Sequence, residues 1–245
     1  MRKFGLIGYP LSHSFSQKYF ADKFQREGIT ECSYQNYPLA SIELFPELIA
    51  GINNLEGLNV TIPYKEAVIP LIDHLDETAK SIGAVNCIHF KQGTSTGYNT
   101  DVIGFERSLR PLLQTYHSNA LILGTGGAAK AVAFALTRMG ITFHYVSRNR
   151  KEQQLTYSDL DKEIILHHRL IVNTTPLGTS PNISESPPIP YQYIEHEHLL
   201  YDLVYNPSET LFLQKGKERG AVIKNGYEML VLQAEASWEI WNKSV

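Results

Sequence analysis

The chain has 245 residues, 43% of them hydrophobic and 19% charged, which is ample material for a packed core and lies outside the range of disordered sequences. A formal net charge of −3 supplies no basic field for nucleic acid or anionic lipid, so the default partner is a small molecule. Two cysteines, Cys32 and Cys87, at no metal-ligand spacing argue against a disulfide framework and a zinc module, and no apolar run reaches the roughly 18 to 20 residues of a membrane span.

The N-terminus, MRKFGLIGYP, has neither the long apolar core nor the cleavage site of a signal peptide, which gives the expectation of a cytoplasmic protein. Strand-length apolar runs then alternate with helical periods: strands are predicted at 4–9, 33–38 and 57–62, and helices at 16–27, 42–52 and 64–72. VNCIHFK and STGYN, separated by Gln92-Gly93-Thr94, read as an antiparallel hairpin that makes the first sheet mixed.

A helical segment at 101–113 leads into NALILGTGGAAKAVAFALTRMG, where the strand, glycine turn and helix pattern restarts. Further strands are predicted at 142–147, 169–174, 199–205 and 221–225, and residues 177–190 are too rich in Pro and Ser for regular structure. The segment 227–243 reads as a helix that is apolar nearly all round. The expected class is therefore α/β with two domains. Residues 1–101 plus 227–245 form a mixed-sheet substrate domain, and residues 102–226 a Rossmann dinucleotide-binding domain.

Gly124, Gly126 and Ala129 satisfy G-x-G-x-x-G/A after a predicted strand and at the start of a helix, the arrangement that brings backbone N–H groups and a positive dipole end to a diphosphate. The next strand ends in Ser147-Arg148-Asn149-Arg150-Lys151, with no acid before Glu152. Three cations there suit a 2′-phosphate and favour NADP over NAD, a solvated turn being the bland alternative.

In GYPLSHSFS, Ser14 and Ser16 can point the same way and donate to an anion, or serve as a helix N-cap; a His13–Ser14 nucleophile pair has no G-x-S-x-G elbow behind it. In LNVTIPYKEAVIP, Pro63 predicts a helix start that sets Lys65 at a positive dipole end, disfavouring its charge by roughly 0.3–1 kcal/mol and making it a candidate proton carrier, a solvated lysine on a helix end being the reading if it stood alone. Asp101, just before a helix, reads as an N-cap or an acid–base partner, and Asn86 is equally open.

The ordered set GYPLSHSFS, LNVTIPYK, GAVN, NTD, GTGGAA, NTTPLG and GYEMLVLQA resembles the shikimate dehydrogenases over nearly the whole chain. The resemblance implies NADP-dependent reduction of 3-dehydroshikimate to shikimate in the chorismate branch of aromatic amino-acid biosynthesis. It also implies that Ser14 and Ser16 bind the substrate carboxylate near Tyr205, and that Thr61, Asn86 and Gln233 bind ring hydroxyls. Lys65 and Asp101 fall on the catalytic pair, both touching substrate. Gly124, Thr125, Gly126, Gly127 and Ala128 fall on the diphosphate loop, Ser147, Arg148 and Asn149 on the 2′-phosphate site, Leu203 and Gly226 near the nicotinamide, and Glu77 on a further cofactor contact. Where the family often reads Asn-Arg-Thr this chain has Ser147-Arg148-Asn149, so the arginine is kept.

The expected partners are shikimate and 3-dehydroshikimate alone, with no metal, nucleic acid or membrane, in a monomer or homodimer. Two other readings stand beside this one: a quinate/shikimate dehydrogenase that uses NAD, and a non-catalytic regulator that binds shikimate or NADP.

Overall fold

The computed structural model describes residues 1–11, 14–150 and 154–243, and the chain divides into two compact units, Met1–Thr100 with Gln233–Val245 and Asp101–Leu232. His13, Lys151 and Glu152 lie outside the described residues, as do Ser244 and Val245. The second dividing point falls at 232/233, inside a continuous helix, whereas chain order alone set it at 226/227.

The first unit contains β1 (Arg2–Gly8), α1 (Phe15–Glu27), β2 (Cys32–Pro38), α2 (Phe45–Gly51), β3 (Leu55–Val60), β4 (His74–Leu75), α3 (Glu77–Ile82), β5 (Cys87–Lys91) and β6 (Thr94–Tyr98). Its sheet has the order β2-β1-β3-β5-β6-β4; β1 runs parallel to β2 and β3, while β5 is antiparallel to both β3 and β6. The sheet is therefore mixed. The predicted hairpin forms, turning at Gln92 and Gly93, both with positive φ.

The predicted helix over 64–72 does not form. Turns and one short 3-10 segment, Ile69–Leu71, take its place. The carbonyl of Lys65, which a helix would offer to Ile69, instead accepts from Val85 N at 2.7 Å, and the Tyr64 hydroxyl is tied to Leu39 O at 2.6 Å. Long-range bonds thus overrode an apparent helical period, and Pro63 does not open a helix.

The second unit contains α4 (Asp101–Leu109), β7 (Asn119–Leu123), α5 (Gly127–Arg138), β8 (Thr142–Ser147), β9 (Leu155–Thr156), α6 (Lys162–His167), β10 (Leu170–Asn173), β11 (Leu199–Asp202), α7 (Leu211–Glu218) and β12 (Val222–Lys224). Its strands are all parallel in the order β12-β11-β10-β7-β8-β9, with β7, β10 and β11 reading as the unbroken apolar runs of a sheet covered on both faces. The order reverses beside β7, the switch point at which doubly wound sheets bind ligands. β11 ends at Asp202, three residues before the predicted end, because the Asp202 carboxylate accepts from Val204 N at 3.0 Å and turns the chain.

The last helix, α8 (Tyr227–Trp241), carries Gln233, Ser237 and two tryptophans into the first unit. Trp241 stacks on Phe4 with ring centroids 4.8 Å apart and donates to Ile88 O at 2.9 Å. Lys23 on α1 meets Glu235 at 2.8 Å. Buried aromatics of this size contribute about 1.5–3 kcal/mol each, so the helix is anchored as firmly as a core element.

Candidate functional site

In the first unit the candidate residues gather at the sheet edge where β1 and β3 end. Tyr9 N donates to Ile62 O (3.1 Å) and Thr61 N to Ile7 O (2.9 Å), which fastens the chain after β3 to the chain after β1. Val60 N donates to Asn86 O (2.9 Å), so Asn86 stands beside the end of β3, and the Val85–Lys65 bond draws Lys65 to the same edge. Thr61 and Lys65 are partly exposed there.

Asn86 is buried, and its amide is the centre of a polar network. Its Oδ1 accepts from Thr100 N (2.6 Å), and its Nδ2 donates to Thr100 Oγ1 (2.9 Å) and Gln233 Oε1 (3.4 Å). Thr100 Oγ1 also lies 3.2 Å from Ser237 Oγ. Asn59 Nδ2 donates to Ser237 Oγ (2.9 Å) and Asn86 O (3.2 Å), and Asn59 Oδ1 accepts from the Tyr34 hydroxyl (2.9 Å), which also meets Ser16. Burial pushes the Tyr34 hydroxyl pKa well up, so it remains a donor. The structure therefore joins Ser16, Asn86 and Gln233 through Tyr34, Asn59, Thr100 and Ser237, four residues that sequence reasoning did not single out.

Ser14 occupies the N-cap position of α1 but makes no capping bond, and its buried Oγ has no partner among the described residues. An unsatisfied buried hydroxyl costs about 1–3 kcal/mol, which a bound acceptor would recover. The cap reading is thus not realised. Glu77 is exposed in the first turn of α3, at the positive end of the helix dipole.

In the second unit the glycine loop follows β7. Gly124 has φ +111°, and a Cβ there would lie 2.7 Å from Thr174 Oγ1, so only glycine makes the turn. Gly126 caps α5, and nothing lies within 4 Å of the place its Cβ would occupy. Thr125, Gly127 and Ala128 surround it, and the first turn of α5 presents N–H groups without intrahelical partners, while Ala129 is fully buried against the sheet. These features fit the diphosphate of a dinucleotide.

At the end of β8, Ser147 turns back on Asn149 O, Arg150 is paired with Asp159, and Arg148 is exposed with no ion pair among the described residues. Among the described cations of that turn, Arg148 is thus the one left without an ion pair. Asp101 is buried as the first residue of α4 rather than its cap. Burial raises the pKa of the half-buried Tyr205 hydroxyl. Leu203 O packs over Gly226, where a Cβ would approach it to 2.1 Å. Among the described residues no cluster of His, Cys, Asp or Glu could hold a metal, and no helix is long and apolar enough to cross a membrane.

A polar sheet edge on one unit and a glycine loop fitted to a diphosphate at the switch point of the other are the parts a dinucleotide-dependent oxidoreductase needs. Residues 6–88 match the family model described as the shikimate dehydrogenase substrate binding domain. The shikimate dehydrogenase (NADP(+)) of Methanosphaera stadtmanae is 35% identical over 97% of this chain and 90% of its own, and that of Carboxydothermus hydrogenoformans is 37% identical over the same shares. The structure of shikimate 5-dehydrogenase from Thermus thermophilus in complex with NADP(H) and shikimate has a TM-score of 0.88 and 31% identity, with 99% of this chain and 94% of that one covered. The chain belongs to the shikimate dehydrogenase family.

Proposed function

We propose that the chain catalyses the reversible NADPH-dependent reduction of 3-dehydroshikimate to shikimate in aromatic amino-acid biosynthesis. The observation that carries the reading is the buried Ser14 hydroxyl, which has no partner among the described residues, on the chain that follows β1, where the segment holding Thr61 is fastened. That edge suits a carboxylate that also carries several hydroxyls.

NADPH, when bound, supplies the hydride to the ketone carbon. Ser14 and Ser16 donate to the substrate carboxylate, with Tyr205 as a further donor. Thr61, Asn86 and Gln233 bind ring hydroxyls and fix the face presented for reaction. Lys65 gives its proton to the ketone oxygen and takes it back from the alcohol in the reverse direction, and Asp101 accepts a bond from the reacting hydroxyl. Gly124 to Ala128 hold the diphosphate, Arg148 with Ser147 and Asn149 holds the 2′-phosphate, and Leu203 and Gly226 bound the nicotinamide. The reaction belongs to the cytoplasm, and light scattering distinguishes a monomeric from a homodimeric working form.

Replacing Lys65 by Met should lower kcat by roughly 10²–10⁴-fold with a smaller change in KM, because proton transfer acts in the transition state. A kcat near wild type would remove Lys65 from the mechanism. A second reading, with NAD accepted alongside NADP, is favoured by the pairing of Arg150 with Asp159, which leaves Arg148 as the described cation of that turn for the 2′-phosphate.

A further inference from the structure

Asp202 is the last residue of β11 and is fully buried, and among the described residues no cation pairs with it. Its carboxylate is held by three neutral donors: Oδ1 accepts from Asn173 Nδ2 (2.9 Å) and Val204 N (3.0 Å), and Oδ2 from Thr210 Oγ1 (2.5 Å). Burial raises its pKa to about 6 against the opposing pull of these donors. An ionisable group kept at so buried a place costs more than a neutral one, and a turn that merely needed an acceptor for Val204 N could use a neutral amide instead.

Its neighbours extend the bonds in two directions. Toward the glycine loop, Asn173 Oδ1 accepts from Thr175 N (3.0 Å) and Thr175 Oγ1 (2.6 Å), while Thr174 Oγ1 donates to Leu123 O (2.7 Å), immediately before Gly124. Toward β12, Leu203 N donates to Asn173 O (3.0 Å) and Gly226 N to Val204 O (3.1 Å), which seats Leu203 O over the bare Cα of Gly226. Thr210, whose Oγ1 also accepts from Leu213 N at 3.4 Å, ties the start of α7 to the same carboxylate.

We propose that Asp202 is a positioning residue for the nicotinamide end of the cofactor site: through Asn173, Val204 and Thr210 it fixes the Leu203–Gly226 contact relative to the glycine loop. The proposal rests on the reading of Leu203 and Gly226 as the nicotinamide end.

The test compares two probes in calorimetric titrations of the full chain: NADPH, and 2′-phospho-ADP-ribose, which carries the adenosine, 2′-phosphate and diphosphate but no nicotinamide. Asp202→Asn keeps the shape and puts a donor or a weaker acceptor against Thr210 and Asn173. NADPH affinity should fall about ten- to hundredfold, the scale of losing a hydrogen bond to a charged group, while 2′-phospho-ADP-ribose stays within about twofold. Equal losses for both probes, or no loss for either, would overturn the proposal. If Asp202→Asn does not fold, Thr210→Val should weaken NADPH selectively and Thr210→Ser should restore it; without that contrast the proposal fails. Gly226→Ala checks the underlying reading, since a Cβ must displace Leu203. If it leaves NADPH affinity unchanged, this is not the nicotinamide end and both ideas fall. If it weakens NADPH binding while Asp202→Asn and Thr210→Val do not, only the role of Asp202 is wrong.

Discussion

Thr100→Val removes one hydroxyl from the buried network without changing side-chain volume. Thr100 is fully buried; its Oγ1 accepts from Asn86 Nδ2 at 2.9 Å and lies 3.2 Å from both Asn86 Oδ1 and Ser237 Oγ and 3.5 Å from Gln233 Oε1. Losing the bond from Asn86 costs about 1 kcal/mol net, and leaving buried polar atoms less well satisfied adds about 1–3 kcal/mol, for a total of roughly 2–4 kcal/mol. That is a sizeable part of the roughly 5–15 kcal/mol typical of a folded domain, yet the protein should still fold. Because Asn86 and Gln233 are the amides assigned to the ring hydroxyls, the loss should also appear as a raised KM for shikimate, about tenfold, with the KM for NADP+ unchanged. Urea denaturation and steady-state kinetics read the two effects, and Thr100→Ser should restore both. If Thr100→Val keeps wild-type stability and shikimate KM, the network does not orient the substrate amides.

The remaining predictions concern the second unit. Burial lowers the pKa of His117, His168 and His198, and the first and third use Nδ1 to accept backbone N–H groups from Gln114 and Glu195 at 3.0 Å, which requires neutral rings. A folded pKa below the unfolded value near 6.5 means that stability is full above about pH 6.5 and is lost as pH falls through the folded values, by up to about 1.4 kcal/mol per pH unit for each ring. Urea midpoints of His117→Gln, followed from pH 8 to 5, should show a shallower decline than wild type; parallel curves would rule this ring out. Arg148→Ala should reduce kcat/KM for NADPH by about 10- to 100-fold and leave that for NADH nearly unchanged, and an equal loss for both would move the 2′-phosphate elsewhere.

What could be read from sequence was local. The turn at Gly124, the open position at Gly126 and the packing of Ala129 follow from three spaced small residues between a strand and a helix, and the structure forms all three features. The hairpin of β5 and β6 was equally legible from its Gln-Gly turn. The segment 64–72 was misread because its apolar spacing suits a helix, whereas the bond from Val85 to Lys65 O is invisible to periodicity. Asn59 lies in the same LNVTIP stretch as Thr61, but its partner Ser237 is 178 positions away on α8, so nothing local marked it. Asn173 sat within NTTPLG and Asp202 within the strand predicted at 199–205, and only the adjacency of β10 and β11 joins their side chains.

Shikimate-dependent reduction of NADP+, followed by the near-ultraviolet absorbance of the reduced cofactor, reads the proposed reaction itself. Parallel assays with NAD+ and with quinate separate it from the NAD-using quinate/shikimate dehydrogenase reading. The expected result is turnover with shikimate and NADP+, with kcat/KM higher than for any other pairing of the two substrates and two cofactors. It is contradicted if purified protein binds shikimate and NADP+ yet produces no reduced cofactor, or if NAD+ with quinate is the preferred pair.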